Sequence, residues 1–371
     1  MIKKVNRFLI ARFDSLFTAL YRFLVTRSDT VCVLLSSFYG FIRPTSYKEM
    51  LEQADDTVKL FSKNCVKTND INKLRKMMVM YYITKYIHMH EFLVFDFFHL
   101  SKKQKKEYIT RFEKRRLSRK YNGRYKGKLN ILNDKAETAD IFSEYYKREW
   151  LNVSSKNDFP QFNNFCNKKA RIVVKPINEH SGRGVACVSI QHDNIEMLFG
   201  DLIKEYGKFI CEEKIIQCDE SNSWNPDSVN TLRLPTIRSS KGNITIFKPF
   251  FRTGRKGSFT DNAGQGGVFA GVDPNTGVIT TDGYDTLCNK YIEHPDSNKK
   301  FLGYQIPRWI EAVELGKTLA NVLPNQKYVG WDLALTDKGW LMIEANWGGL
   351  RAIQIVGKKG CRKEFMKLIK S

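Results

Sequence analysis

The sequence predicts an α+β protein in which a mainly helical, basic first third precedes a strand-rich remainder. Three observations carry this. Apolar residues recur mostly at helical spacing from Lys48 to about Asn122. Beyond that point short apolar runs alternate with turn signals, and the basic excess lies ahead of the change. The chain has 371 residues, 42% of them hydrophobic and 13% aromatic, which is too apolar for a disordered chain. Twenty-four Gly and ten Pro are ordinary counts and exclude collagenous or linker-like architectures. The length has room for about two to three domains.

Charge is the unusual figure. Sixty-one Lys and Arg against 39 Asp and Glu leave +22. Residues 1–134 carry 28 basic and 12 acidic residues, and residues 135–371 carry 33 and 27, so net charges of +16 and +6 divide the chain. Such a surface implies polyanionic company: nucleic acid, acidic lipid, anionic glycan or a phosphorylated ligand. Eight cysteines are scattered without a Cys-x-x-Cys pair, and several sit in apolar runs, which favours a reduced, cytoplasmic setting.

Taken in order, the amino terminus places Ile2, Val5, Leu9, Phe13, Leu16, Leu20 and Phe23 at helical spacing among basic residues. Asp14 and Arg22 interrupt any signal-peptide core. The uncharged run Thr30–Ile42 has 13 residues, short of the ~20 that a spanning helix needs. An apolar stripe packed on the following domain is the favoured reading, and peripheral contact with an anionic membrane stays open. Tyr81, Tyr82, Tyr86, Phe92, Phe95 and Phe98 read as core rather than as a ligand platform. His88, His90 and His99 are spaced by two and nine, which does not set all three on one helical face for a metal. Lys102–Lys128 is strongly basic, by default a solvated face, and no recognised nucleic-acid motif accompanies it. Asn122-Gly123 and Gly127 then mark a boundary. The division expected is a helical region at 1–128 and a second domain at 129–371.

In the second part, Arg171–Pro176 and Val185–Ile190 read as a hairpin whose connector holds Ser181-Gly182-Arg183-Gly184. Phe209–Ile216, Thr231–Ile237, Ile244–Phe251 and Gly267–Val272 read as further strands. Asp273-Pro274-Asn275-Thr276-Gly277 is a turn, and Pro307–Leu323 is an amphipathic helix. Tyr328–Leu335 and Trp340–Ala345 form a closing hairpin around Thr336–Gly339. This pattern predicts antiparallel hairpins with few helices, not a doubly wound parallel sheet.

Three places carry chemistry. Lys175 ends a strand as a fixed cation, and the glycines of the next connector let backbone N–H groups approach phosphate. A glycine hairpin is also common for structural reasons alone. Asp332 lies on one strand of the closing hairpin and Glu344 and Asn346 on its partner, the last two on one face because the side-chain period is two. Two carboxylates and an amide oxygen form a hard oxygen site suited to Mg²⁺ with a phosphate; the alternative is an acid facing solvent at a sheet edge. Third, Arg233 in Asn230-Thr231-Leu232-Arg233 is followed by Lys248, Arg252 and Arg255. These can grip carboxylate or phosphate, or pair with surface acids.

In order, these pieces resemble the ATP-grasp superfamily over roughly Leu129–Leu350. Asn133-Asp134-Lys135 looks like its phosphate lysine before a helix, Lys175 like its second phosphate lysine, and Ser181 to Val185 like its mobile glycine loop. Ile210-Cys211-Glu212-Glu213-Lys214-Ile215-Ile216 is similar to the hinge between lobes that receives adenine. Asp332, Glu344 and Asn346 match its metal ligands. The Asn-Thr-Leu-Arg run, Thr260-Asp261-Asn262 with Gly264, Gly266 and Gly267, and Gly330-Trp331-Asp332 resemble the narrower sugar-transfer-associated group of polysaccharide and capsule loci. One departure is Gly330, where many of these ligases carry an arginine; Arg233 or Arg252 then stands as the catalytic cation.

The resemblance implies two α+β lobes gripping ATP and carboxylate–amine ligation through an acylphosphate. It implies ATP and Mg²⁺, as two ions, with Lys135, Lys175, Ser181, Gly182, Gly184, Glu212, Glu213 and Ile215 binding the nucleotide. It also implies a carboxylated and an amine substrate, sugar-linked or free, and work in the cytoplasm or at the inner face of a membrane. The competing expectation is a polyanion- or membrane-binding protein with a degenerate grasp domain. Nucleic acid is disfavoured.

Overall fold

A computed structural model describes residues 24–25, 28–61, 66–124, 131–177 and 184–371, without the side chain of Asn133. The stretch at 2–23, Gly127, and Ser181 and Gly182 of the glycine connector lie outside the described residues. The contacts divide the chain into two compact units. One takes in the described part of Met1–Arg116 with Leu287–Asn289 and Lys358–Lys363; the other holds Leu117–Thr286, Lys290–Gly357 and Glu364–Ser371.

The first unit is helical. Helix α1 (Asp29–Ile42) starts at Ser28, whose Oγ accepts from the Val31 N–H at 3.1 Å. Helices α2 (Pro44–Phe61), α3 (Ile71–Lys85), α4 (Met89–Val94) and α5 (Lys102–Lys105) follow, with the first residues of α6 (Arg111–Tyr121), whose part from Leu117 on belongs to the second unit. Phe61, Leu74, Met77, Met78, Phe92 and Phe97 are buried. The aromatic stretch splits: Tyr81, Phe92 and Phe95 join the core, whereas Tyr86 is 45% exposed. The three histidines go separate ways. His99 bonds Asp96 at 2.6 Å, His90 packs on Phe61 and His88 on Tyr82. Among the described residues no helix is long and apolar enough to cross a membrane.

The second unit holds two antiparallel sheets. The smaller one has the order β1-β4-β2-β3, from β1 (Trp150–Val153), β2 (Arg171–Pro176), β3 (Ala186–Ser189) and β4 (Phe209–Glu213). Ile172, Val174, Phe209 and Cys211 share a core with Phe162 and Phe165 of α9 (Phe159–Cys166) and Phe199 and Leu202 of α10 (Ile195–Tyr206). Period-two alternation therefore turns Val173, Lys175, Ile210 and Glu212 to the opposite face.

The larger sheet runs β10-β9-β8-β7-β5-β11-β12, with β6 also on β5. Its strands are β5 (Thr231–Arg238), β6 (Ile244–Ile246), β7 (Phe250–Thr253), β8 (Val268–Gly271), β9 (Gly283–Tyr284), β10 (Lys290–Tyr291), β11 (Tyr328–Thr336) and β12 (Gly339–Asn346). Leu232, Leu234, Trp331, Leu333 and Leu335 face a core shared with Ala312 and Leu319 of α12 (Trp309–Val322). Thr231, Arg233, Gly330 and Asp332 fall on the other face by the same alternation.

Three expectations need correction. Ile244–Phe251 is not one strand. Lys248 takes φ 48° and Pro249 brings no N–H, so pairing stops after Ile246 and resumes at Phe250. The run from Phe209 ends at Glu213 rather than Ile216. Helices are also not few: α7 (Lys135–Ile141), α8 (Ser143–Tyr146), α9, α10, α11 (Asp219–Asn222), α13 (Leu350–Val356) and α14 (Arg362–Lys370) join α12 in this part. Most span two turns or fewer, too short for a periodic signal in sequence, although α10 carries a readable apolar stripe.

Candidate active site

The polar faces of the two sheets carry Lys175, Glu212, Arg233, Arg252, Asp332, Glu344 and Asn346; Lys135, Gly184 and Ile215 lie off the strands and Glu213 ends one. On the larger sheet, register alone builds a row. Arg252 on β7 pairs with Thr231 on β5, and Arg233 on β5 pairs with Asp332 on β11, which pairs with Glu344 on β12. A bulge makes the last pairing. From the Thr336↔Gly339 turn the register would bring Ile343 opposite Asp332, but it shifts between Asp332 and Leu333 and seats Glu344 there. Bulges next to functional sites re-aim side chains in this way.

Within the row, Asp332 is held by two arginines. Arg233 donates through Nε and, at 2.7 Å, Nη2; Arg252 Nη2 stands 3.1 Å away. Burial opposes its ionisation, but the two guanidiniums win and hold its carboxyl down at about 2. Glu344 goes the other way: burial first, then the Asp332 charge, push its carboxyl above the ordinary range. Asn346 bridges the row, its Nδ2 donating to Glu344 Oε1 at 3.3 Å and its Oδ1 accepting from Arg233 Nη1 at 2.8 Å and Gly348 N at 2.6 Å.

The Asn-Thr-Leu-Arg run divides its labour by alternation. Asn230 is buried, and its Nδ2 donates to the carbonyls of Ser221 and Asn225 at 2.9 and 2.8 Å, which ties the preceding loop. Thr231 donates to Asp261 and accepts from Arg252 Nε at 2.8 Å. Leu232 enters the core, and Arg233 enters the site. Arg252 is thus clamped between Asp261, at 3.3 Å, and Asp332. Burial raises the Asp261 carboxyl against the pull of Arg252. The other cations of that group are turned outward: Lys248 pairs with Glu364 at 2.8 Å and Arg255 with Asp296 at 2.8 Å.

Two glycines keep this face open. A Cβ on Gly330 would stand 3.0 Å from Arg233 Cδ and 3.1 Å from the Gly348 carbonyl. The Arg233 side chain therefore lies over the position that an arginine at 330 would occupy. A Cβ on Gly348 would lie 2.5 Å from Arg233 Nη1 and closer still to Asn346 Oδ1. Both are ends of side chains, but Arg233 is pinned to Asp332, so Gly348→Ala is expected to cost about 1–3 kcal/mol by separating Arg233 from Asn346. Thermal denaturation of the variant beside the wild type checks this: Tm should fall by a few degrees.

On the smaller sheet, Lys175 Nζ lies 2.7 Å from Glu212 Oε2. The same oxygen accepts from Arg148 Nε at 3.0 Å and Nη2 at 2.8 Å. Arg148 also donates to the Met342 and Ile343 carbonyls of β12 at 2.7 and 3.3 Å, so one buried guanidinium joins the two sheets. Burial disfavours the Glu212 carboxylate, yet Arg148 and Lys175 hold it down from the ordinary 4.5 to about 2. Its stabilising contribution is complete above about pH 4.5 and is lost as pH falls towards 2, a change on the order of 3 kcal/mol. Glu212→Gln is expected to flatten the acid limb of a stability-versus-pH curve measured by denaturant unfolding.

Asp134 caps α7 by accepting from Glu137 N at 3.0 Å, which sets Lys135 in the first turn, where its Nζ donates to the Pro176 carbonyl at 2.6 Å. Gly184 takes φ 68°, and a Cβ there would stand 2.9 Å from Pro176 Cγ, so both the turn and the close approach call for glycine. The hinge residues part company. The Glu212 carboxylate turns inward to Lys175, Glu213 is exposed and accepts from Glu149 N at 3.3 Å, and Ile215 is half-buried on the loop after β4. Sequence reasoning missed Arg148, which sits in no motif, and gave Asp261 no role although Thr260-Asp261-Asn262 was visible.

Among the described residues no group of three His, Cys, Asp or Glu gathers for a metal. The oxygen donors that do gather are Asp332, Glu344 and the Asn346 amide. All are hard, and the Asp332 charge raises the need of Glu344 for a cation, although Asp332 itself is paired with Arg233 and Arg252, so the set fits a small divalent ion.

No curated protein is significantly similar in sequence to the chain. Similar solved structures include a D-alanine–D-alanine ligase from Bacillus anthracis (12% identity, 59% of this chain and 57% of that one, TM-score 0.35). Others are an L-amino acid ligase from Bacillus licheniformis (15%, 62% and 48%, 0.37) and D-alanyl-alanine synthetase A from Vibrio cholerae O1 biovar eltor (14%, 64% and 64%, 0.39). The chain thus spans between 48% and 64% of these three proteins. The sequence pattern described as sugar-transfer associated ATP-grasp matches residues 112–370, from the last helix of the helical region through both sheets. On that match, the chain belongs to the sugar-transfer associated ATP-grasp family.

Proposed function

We propose that this protein is an ATP-dependent carboxylate–amine ligase. The observation that carries the reading is the single row of Arg252, Arg233, Asp332, Glu344 and Asn346 across four neighbouring strands, joined through Arg148 to Glu212 and Lys175. A substrate carboxylate oxygen attacks the γ-phosphorus of ATP, the bond to the β,γ-bridging oxygen breaks, and ADP leaves. An amine then attacks the acyl carbon, phosphate departs, and the amine proton is lost to form the amide. Phosphoryl transfer of this kind asks the protein for positioning and charge neutralisation rather than for a nucleophile.

Lys135 and Lys175 hold the phosphates. Ile215 and the exposed Ile216 offer apolar surface to the base, with Glu213 beside them. Asp332, Glu344 and Asn346 would hold Mg²⁺, which when bound supplies positive charge to the phosphates. Arg252, aimed by Asp261 and Thr231, and Arg233 hold the carboxylate that becomes the acylphosphate. Glu212 neutralises Lys175 until phosphate takes its place. The family description supports a sugar-linked substrate, so the product is an amide joining an amino acid or amine to a surface polysaccharide or its precursor. The work is placed in the cytoplasm, with the basic first unit directed at the inner face of a membrane or at a glycan.

A degenerate binding protein is the competing reading, and the chemically competent residues at every phosphate and metal position speak against it. Titration with ATP, with and without Mg²⁺, in a thermal-shift assay separates the two. At a hundredfold excess over Kd, the ligase should gain about 2.7 kcal/mol, dependent on Mg²⁺. No shift would favour the degenerate domain. ADP release screened against amino acids and uronic acids then names the substrates.

A further inference from the structure

Helix α1 of the helical unit packs with its small side chains inward. Its fully buried positions are Cys32 and Ser36, and the Ser36 hydroxyl shares a hydrogen bond with the Tyr47 phenol at 2.9 Å. Gly40, one turn on, continues this small face: a Cβ there would lie 2.5 Å from Cδ1 of the Tyr47 ring. The large apolar side chains are left outside. Leu34 is 64% exposed, Phe38 53% and Phe41 84%. By the helical period these three fall within about 60° of one another. Thr30 and Ser37, also exposed, complete a face that carries no charge. A helix facing only water on that side would carry its charged and polar residues there. Apolar side chains grouped at a surface mark a place where something else packs.

Cations border this face. Lys76 of α3 donates to Ser37 Oγ at 3.0 Å, and Arg111 and Arg115 of α6 line a groove together with Tyr39, the neighbour of Phe38. None of the three cations has an ion-pair partner among the described residues. Acids of α2 are matched within the unit: Glu52 by Lys48 at 4.0 Å, Asp56 by Lys59 at 3.6 Å and Asp55 by Arg75 at 2.9 Å. We infer that α1 lies in the surface of an anionic lipid bilayer, with Leu34 and Phe41 among the acyl chains and Lys76, Arg111 and Arg115 at the level of the headgroups. Its 14 residues make a helix about 21 Å long, short of the ~30 Å of hydrocarbon, so α1 lies along the membrane and not across it. A second copy of the chain fits this face less well. It would bring like cations together, and residues 1–134 already carry a net +16.

The inference selects the membrane over the glycan for the helical unit. It does not rest on the ligase reading, and its test keeps the two apart. Full-length protein is sedimented with phosphatidylcholine vesicles, with and without about one third phosphatidylglycerol. Binding at least about tenfold tighter to the anionic vesicles is expected, weakening as salt rises. L34Q/F41Q should weaken it at least about tenfold with no fall in Tm, because both side chains already face water in the free protein. R111Q/R115Q should remove most of the preference for anionic lipid. The ATP-induced thermal shift should stay as in the wild type in both variants, so loss of lipid binding is not mistaken for loss of the nucleotide site. The inference is overturned if the wild type does not bind anionic vesicles. It is equally overturned if L34Q/F41Q binds them as well as the wild type does, which would assign the contact to another part of the chain. A Tm several degrees lower in L34Q/F41Q also overturns it, because this chain itself would then cover the face. So does a wild-type dimer that L34Q/F41Q turns into a monomer, which would make a second copy the occupant.

Discussion

Lys175→Ala and Glu344→Gln are each expected to lower ATP turnover by at least about 10²–10³-fold in a protein that stays folded. The two arrive there differently. Removing the Lys175 ammonium deletes a cation from the phosphate site, but Glu212 keeps both donors of Arg148 and so is not left as an unpaired buried charge. A stability loss of about 1–3 kcal/mol follows from the lost charge-assisted hydrogen bond. Glu344→Gln keeps shape and removes a carboxyl that burial and Asp332 already disfavour in its charged form. Stability should therefore hold or rise while turnover collapses, the pattern of a group retained for chemistry at a cost to the fold. Purified variants with wild-type-like turnover would sink the assignment. ADP release measured beside denaturant unfolding on the same samples gives both numbers.

Arg148→Met is expected to be the most damaging single change to stability, by about 3–5 kcal/mol. The Arg148 side chain is 3% exposed and serves Glu212 together with the carbonyls of Tyr146, Met342 and Ile343, so its loss leaves the Glu212 carboxylate to Lys175 alone and strands several buried acceptors at once. Arg148→Lys should recover only part of this, because an ammonium cannot reach acceptors on both sheets in the planar fork geometry. Pairing Arg148→Met with Glu212→Leu should recover more than the lysine does, since the buried acid that had lost two of its three donors is gone. Urea unfolding of the three variants checks the order. A merely additive double variant would show that Arg148 and Glu212 are not coupled.

How far the site was legible depends on what kind of signal each residue leaves. Asp332, Glu344 and Asn346 sit on a hairpin whose turn and alternation are local, so their approach could be read from spacing. Lys175 and Gly184 border one connector and were equally local. Arg233 and Arg252 were visible as cations on strands, but nothing in spacing said that both would reach Asp332 whereas Lys248 and Arg255 would turn to Glu364 and Asp296. That choice belongs to strand order: β7 and β11 flank β5, which are non-consecutive neighbours. Arg148 left no trace because it acts through contacts 64 and about 194 positions away. The short helices were missed for a different reason, since two turns hold too few residues to show a period.

The sequence by itself determined the class of the fold, the order of its motifs and the chemical types at each site position, because hydrophobic period, turn residues and charge are properties of neighbours along the chain. Tertiary structure alone decided three things: the bulge that seats Glu344 directly opposite Asp332, that Arg233 takes the room left by Gly330, and that Arg148 holds Glu212 against Lys175. Each turns on a register or a crossover between distant strands. A bulge of one residue, or a side chain laid across its neighbour's empty Cβ, is settled only when the sheets pack.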